Sequence, residues 1–463
     1  MQRGRRRNTA MISAMGLAAL GALAYAILWK EGVLRDNRRV FLSAGLIFCA
    51  MLLRSLCMEH ESLDYRDFLL RWVEYFRDHG GFRALDRDVG NYNVPYLYFM
   101  ALFSYSSIKP LYLIKLLSVL FDVLLAWGAL RLTRTVSGSE RAGMIAFLLT
   151  LLLPTVILNG AYWGQCDSIY TAFGVWSFAL ALEDRPIPAV AAIALSFSFK
   201  LQAVFLMPVF LIFIFAGKIK WEHLAVFPLT YLAVVLPAVL LGRPLWDTLS
   251  LYFNQAGTVG SALNYNSSSV YAFAPWNPSN PEELARAGIL AAFAFLLLLY
   301  GWCWYHRRRL NRRNLLYCCL LISVAVPFLL PHMHDRYFFP ADVLSLVLAA
   351  CFPPLAPVAP AVSFASLLGY YAYIKMRFLL PMRYGAFALL AVIALLVLLL
   401  VSELAEGGPA GRPARSRSAG SAAGRRVHRS GQDYNLQAGR IQARKRSRGK
   451  SQGKSGGSRG TAD

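Results

Sequence analysis

Charge is scarce in this sequence, and acidic charge scarcer still. Only 16% of its 463 residues are charged, and 48 Lys and Arg stand against 25 Asp and Glu. Mean hydropathy is +0.45 and 57% of residues are hydrophobic, which leaves too little polar surface to cover a soluble domain of this size. The seven cysteines have no paired spacing, so neither a disulfide framework nor a thiolate metal site is indicated; Cys49, Cys303, Cys318, Cys319 and Cys351 fall inside apolar runs and read as packing residues. No HExxH motif occurs. No internal repeat occurs either, which counts against a transporter built from paired halves.

What is present is a series of apolar segments. A membrane helix needs roughly 20 apolar residues. Candidates run at about 10–29, 41–57, 110–132, 142–159, 165–182, 186–199, 201–216, 221–241, 287–304, 314–331, 340–352, 356–373 and 386–402. The fold class expected is therefore all-α, a polytopic bundle of about 11–14 spans. Segments around Lys200 and after Pro340 are short and read as tilted, re-entrant or broken helices. The organisation expected is a basic segment with an extra membrane helix over 1–40, a membrane catalytic domain over 41–402, and a basic disordered tail over 403–463.

The tail accounts for much of the positive excess, with fourteen Lys or Arg between Arg412 and Arg459 in a Gly/Ser/Ala-rich context. With almost no aromatic residues to stack on bases, it points to anionic lipid on the cytoplasmic side and not to nucleic acid. Basic loops favour the cytoplasm. Placing His306–Asn314, Arg131–Gly143 and Gly217–His223 there puts Glu59–Asn93, Asn159–Ser168, Gly242–Glu283, Lys200 and the stretch "HMHDRY" on the extracytoplasmic side. Val94–Ser107, with fourteen residues, is expected to belong to the outer loop and not to cross.

The polar residues gather on that outer side. Phe68, Trp72, Tyr75 and Phe76 recur at helical spacing, as a helix lying on the membrane surface requires, and Gly80 and Gly81 end it. Asp64, just before, suits either an N-cap or a catalytic base. Asp167 has the same two readings, and Trp163 and Gln165 stand beside it at the mouth of a span, where Trp163 also suits an interfacial aromatic belt. Lys200 has no acidic neighbour in sequence; it either snorkels or meets an anion. In "PHMHDRYFFP", His332, His334 and Asp335 are acceptable metal ligands, but an i, i+2 histidine pair is weak support and no metal or other cofactor is expected. Arg336 is suited to gripping a phosphate. Lys200, Arg336 and His334 together suit the head of a lipid-linked anion, and with Asp64 as base they suggest a transferase using a lipid phosphate. A lipid-linked oligosaccharide flippase needs similar cations, but a transporter would spread its polar residues across the membrane; a polysaccharide polymerase or ligase would use a lipid diphosphate donor and a different arrangement of arginines.

Four blocks in order, "DYRDFLLRWVEYFRDHGGFRALDRDVGNYNVPYLY", "WGQCDSIYTAF", "FKLQAVFLMP" and "HMHDRYFFP", spanning 64 to 340, resemble the bacterial integral membrane glycosyltransferases related to the second mannosyltransferase of GPI-anchor synthesis, in the GT-C superfamily. The resemblance implies inverting transfer of a sugar, mannose by analogy, from a polyprenyl-phosphate donor to a glycan, lipid or protein acceptor on the outer face of the plasma membrane. It implies Asp64 as base with Asp67 as the nearby substitute, and Lys200 and Arg336 at the phosphate of the departing carrier. Trp163, Gln165, Asp167, Gln202, His332, Asp335 and Tyr337 lie in the matched blocks as binding or supporting residues. Arg71 and Val94 depart from prolines common in relatives, which leaves the sugar unsupported and the loop geometry open to local change.

Overall fold

The structure is a computed structural model that describes residues 2–257, 262–275 and 278–405. The basic tail, from 406 onward, lies outside the described residues, as do parts of the outer loop 254–277. The described residues are predominantly helical, and their elements begin where the sequence supplies a start. Helix α1 (Gln2–Lys30) turns back into α2 (Asn37–Ser55), whose first turn is capped by the Asp36 carboxylate accepting from Arg39 N at 2.9 Å. A short α3 (Leu70–Asp78) is stopped by Gly80 in the left-handed region. Then come α4 (Val94–Ser104) and α5 (Pro110–Ser137), each opening with proline in its first turn, where the missing N–H costs nothing.

Ser139 caps α6 (Glu140–Leu152), and α7 (Pro154–Ile157) leads into a π-helical turn, Leu158–Trp163. Helix α8 (Asp167–Leu182) packs on α5 and α9 (Pro186–Phe199) on α8, and α10 (Val209–Phe215) follows a break at Lys200. The rest are α11 (Val226–Leu240), α12 (Leu245–Gly257), α13 (Pro281–Tyr305), α14 (Arg312–Leu329), α15 (Phe339–Cys351), α16 (Val358–Lys375) and α17 (Arg383–Ala405). Among the described residues one two-stranded parallel pairing occurs, between β1 (Asn264–Tyr265) and β2 (Met333–His334).

This is an all-α polytopic bundle, and an integral membrane protein. Among the described residues seven helices are long and apolar enough to cross a bilayer, or eight if the pair Glu140–Leu152 and Pro154–Trp163, bent by 46°, counts as one span. That is fewer than the thirteen segments expected. At 1.5 Å per residue, α9 and α15 fall well short of a 30 Å core, and α2 carries Arg38, Arg39 and Arg54. The Val94–Ser107 stretch, expected as outer loop, holds the eleven-residue helix α4, too short to span and largely buried.

Helix α5 sits at the centre, with α1, α6, α8 and α15 around it. Leu290, Phe293, Leu297 and Leu298 on α13 and Leu229, Leu236 and Leu240 on α11 are exposed, as lipid-facing helices require. The loops grouped by basic charge meet at one end: Arg131 pairs with Glu31 and Glu183, Lys218 with Asp184, and an Arg312 N–H donates to Thr135 O at 3.2 Å. The polar blocks meet elsewhere, around Asp64.

Candidate active site

The turn after α2 is held from beneath. Lys115 of α5, fully buried, donates to the carbonyls of Cys57 (2.8 Å), Met58 (3.3 Å) and His60 (2.6 Å). Ser62 then does the capping: its Oγ accepts from Tyr65 N at 3.2 Å and donates to Trp163 O at 2.6 Å. Asp64 makes no capping bond. Its Oδ2 accepts from Trp163 Nε1 at 2.9 Å and from Gln165 Nε2, and its Oδ1 accepts from Tyr373 Oη at 2.7 Å. Three neutral donors hold the carboxylate in place without an ion pair. π-Helical turns flank this point, at Tyr65–Leu69 and at Leu158–Trp163. Such bulges recur at functional sites because they re-aim a side chain within a helix.

Trp163 is no interfacial anchor. It is 1% exposed, stacked on Tyr373 with ring centroids 4.2 Å apart and carrying the Arg336 guanidinium 5.2 Å from its ring. Asp167 is no cap either, since α8 begins with it. Its carboxylate accepts from Asn159 Nδ2 at 2.7 Å and from Lys200 Nζ, and Arg336 Nε lies 3.5 Å away. Lys200 reaches it because the chain becomes extended there (φ −155°, ψ 133°), breaking α9 from α10. The ammonium is buried between the rings of Tyr92 (5.5 Å) and Tyr170 (5.9 Å), so it does not snorkel. Lys200 and Arg336 share the Asp167 carboxylate, so these three residues together carry one net positive charge.

The stretch Pro331–Pro340 divides its work. His332, in the left-handed region at φ 62°, donates its N–H to Leu263 O and bonds through Nδ1 to Ala262 O at 2.7 Å, so it anchors the neighbouring loop and makes none of the contacts around Asp64. His334 stacks on Tyr265, centroids 4.6 Å apart. Burial, with Arg336 and Lys200 adding to it, pushes its pKa down to about 4. The imidazole is therefore neutral at neutral pH, so a contact from it to a phosphate would be a hydrogen bond and not an ion pair. Burial pushes Asp335 up to about 7 against the pull of Arg336, whose Nη1 lies 3.6 Å from its Oδ1. Tyr337 accepts from Gln202 Nε2 at 2.9 Å. Gly369 of α16 lies against this stretch: a Cβ there would stand 2.9 Å from Asp335 Cβ and 2.6 Å from Asn266 O.

Asp67 is exposed and takes no part in this cluster. Lys200, expected at the phosphate, is engaged with Asp167. Tyr373, Tyr370 and Asn159 were not singled out in the sequence; Asn159 Nδ2 donates to Tyr370 Oη at 3.0 Å as well as to Asp167. The signal available was Tyr370 and Tyr373 at i, i+3 after a glycine on one face of a span. Asp64, Gln165, Tyr92, Trp72 and Arg336 line a cavity of about 110 Å³. A carboxylate held by neutral donors, with a cation across a small cavity, can accept a proton on one side while an anion leaves on the other.

The family model for Glycosyltransferase family 87 matches residues 91–331. The matched stretch carries Trp163, Gln165, Asp167, Lys200 and Gln202, while Asp64 and Arg336 lie outside it. No curated protein matches the chain. Because the match covers more than half of the 463 residues, the chain belongs to glycosyltransferase family 87 and is a membrane glycosyltransferase.

Proposed function

We propose that this glycosyltransferase takes its sugar, mannose by analogy with the resembling enzymes, from a polyprenyl-phosphate donor and transfers it with inversion, as a GT-C enzyme of the GPI mannosyltransferase type. The observation that carries this reading is the placement of Asp64 and Arg336 on the walls of one cavity. The acceptor oxygen attacks the anomeric carbon, its proton passes to Asp64, and the bond from that carbon to the phosphate oxygen breaks with its electron pair on the departing polyprenyl phosphate. A sugar-phosphate diester carries one negative charge, which the net positive charge of Asp167, Lys200 and Arg336 matches. Arg336, at the cavity wall, meets it; Lys200 acts through Asp167, keeping that carboxylate from neutralising Arg336. The cations come from side chains, and no metal enters the scheme. Residues 41–402 form the catalytic domain, in the plasma membrane, with this site on the extracytoplasmic face and the basic tail in the cytoplasm.

The test is transfer in proteoliposomes from synthetic polyprenyl-phosphate mannose and glucose in parallel, with EDTA present. Asp64→Asn, at equal folded amounts, should lose about 10²–10⁴-fold in turnover. Transfer surviving in that variant would move the base elsewhere; transfer from glucose in preference to mannose would overturn the sugar.

A further inference from the structure

A carboxylate offers about four lone-pair positions, two on each oxygen. On Asp64 both positions of Oδ2 are occupied, by Trp163 Nε1 and Gln165 Nε2, whereas Oδ1 accepts one hydrogen bond, from Tyr373 Oη. A hydroxyl that gives its proton to Asp64 therefore reaches Oδ1, beside Tyr373. Tyr373 and Trp163 also line a second cavity, of about 130 Å³, together with His60, Glu61 and Tyr162; Asp64 is itself a wall of the Arg336 cavity and meets this one through the Tyr373 hydroxyl on its Oδ1. No Lys or Arg is among its walls, in contrast to the cavity that holds Arg336.

The chemistry of this second cavity is that of an uncharged polyhydroxyl. The rings of His60 and Tyr162 stack at 3.8 Å, 13° from parallel, and both residues are half-buried. Burial, with Lys115 and Arg66 adding to it, holds the His60 pKa below its ordinary value, so the imidazole is a neutral plate. Such a pair presents a flat apolar surface to the C–H face of a sugar ring. Glu61, fixed by Lys109 at 2.5 Å and Arg66 at 3.2 Å, retains lone pairs for the hydroxyl rim.

We infer that this cavity is the acceptor subsite: a carbohydrate-bearing acceptor lies against the His60–Tyr162 pair and presents its hydroxyl to Asp64 Oδ1. The inference rests on glycosyl transfer with Asp64 as base. It puts the acceptor on the Tyr373 side and the leaving phosphate on the Arg336 side, with the Trp163 indole touching both. The proton leaves the acceptor oxygen for Oδ1 as the new bond to the anomeric carbon forms and the old bond to phosphate breaks.

The probes are octyl α-mannoside and octyl β-glucoside, offered to the full chain in nanodiscs and read by saturation-transfer NMR and by steady-state transfer. The expected result is saturation of sugar-ring protons in the wild type that is lost in Tyr162→Ala, whose acceptor KM rises about tenfold relative to its donor KM. Tyr162→Phe keeps the ring and should restore both readouts, separating lost stacking from lost fold. Wild type that turns over donor while Tyr162→Ala changes neither ring saturation nor the ratio of KM values sinks the subsite alone, and so does wild type that saturates neither glycoside. Wild type that binds glycosides through Tyr162 but cleaves no polyprenyl-phosphate sugar, even to free sugar, supports the subsite and sinks the donor reading.

Discussion

Two buried charge clusters lie side by side in this bundle, joined through adjacent residues of α8, and they are built on opposite plans. In the first, Arg54 and Asp122 are matched one to one, both side chains 0% exposed. The guanidinium reaches Asp122 Oδ2 at 2.9 and 3.1 Å, Ala50 O at 3.1 Å and Leu151 O at 2.7 Å, and Ser168 completes the other carboxylate oxygen. In the second, one carboxylate, Asp167, serves two cations. Around it Arg336 Nε, Gln202 Oε1, Asn159 Oδ1, Tyr170 Oη and Asp335 Oδ1 have no hydrogen-bond partner, while neither Arg54 nor Asp122 shows such an atom. A buried polar group without a partner costs about 1–3 kcal/mol, so a fold that carries several beside a closed network keeps that place for something other than stability.

The sharpest way to break this comparison is to delete one cation from each cluster. Arg54→Ala strands Asp122 without a countercharge and should cost about 3–5 kcal/mol, seen as a collapse of the folded fraction on heating in detergent. Arg336→Ala leaves Asp167 paired with Lys200, so its melting should stay close to wild type while sugar transfer falls about 10²-fold. The reverse pattern would remove the distinction.

A smaller effect sharpens it. With Asp335 pushed up to about 7, its carboxyl is protonated on the acid side and the cluster keeps its net positive charge; above that value it ionises and cancels the charge beside Arg336. Donor KM should therefore rise between about pH 6 and 8, and Asp335→Asn should flatten the profile. A wild-type profile that is flat, or that falls, would show that Asp335 does not titrate at the site. The smallest effect belongs to Asp67→Asn: exposed and outside the cluster, it should change turnover less than about twofold, measured in the same assay.

The sequence made the two ends of the bundle legible, because charge is costly in lipid and basic loops segregate. It also brought Asp64, Trp163, Gln165, Asp167, Lys200 and Arg336 into view, since each is polar against an apolar background. It did not reveal what they do to one another. Whether Asp64 or Ser62 caps a helix depends on a side-chain torsion, and local spacing allows both. Lys200 had no acidic neighbour within its own segment; its partner is 33 residues away, at the start of α8. Tyr373, which closes on Asp64 from 309 residues along the chain, looks in sequence like any aromatic residue near a membrane surface. His334 reads from its residue type as a group able to carry charge, and burial with Arg336 and Lys200 nearby keeps it neutral.

The contact at Gly369 has a bearing on how freely this sequence can drift. One additional carbon there would stand 2.6 Å from the Asn266 carbonyl oxygen and 2.9 Å from Asp335 Cβ, closer than real Cβ contacts come. Neither neighbour can yield independently, because Asn266 follows β1, Asp335 follows β2, and the two strands are paired. Even alanine, the mildest exchange open to a glycine codon, would prise α16 away and carry Tyr370 and Tyr373 with it. A residue with no side chain thus sets the spacing between a helix that steadies Asp64 and a loop that carries Arg336.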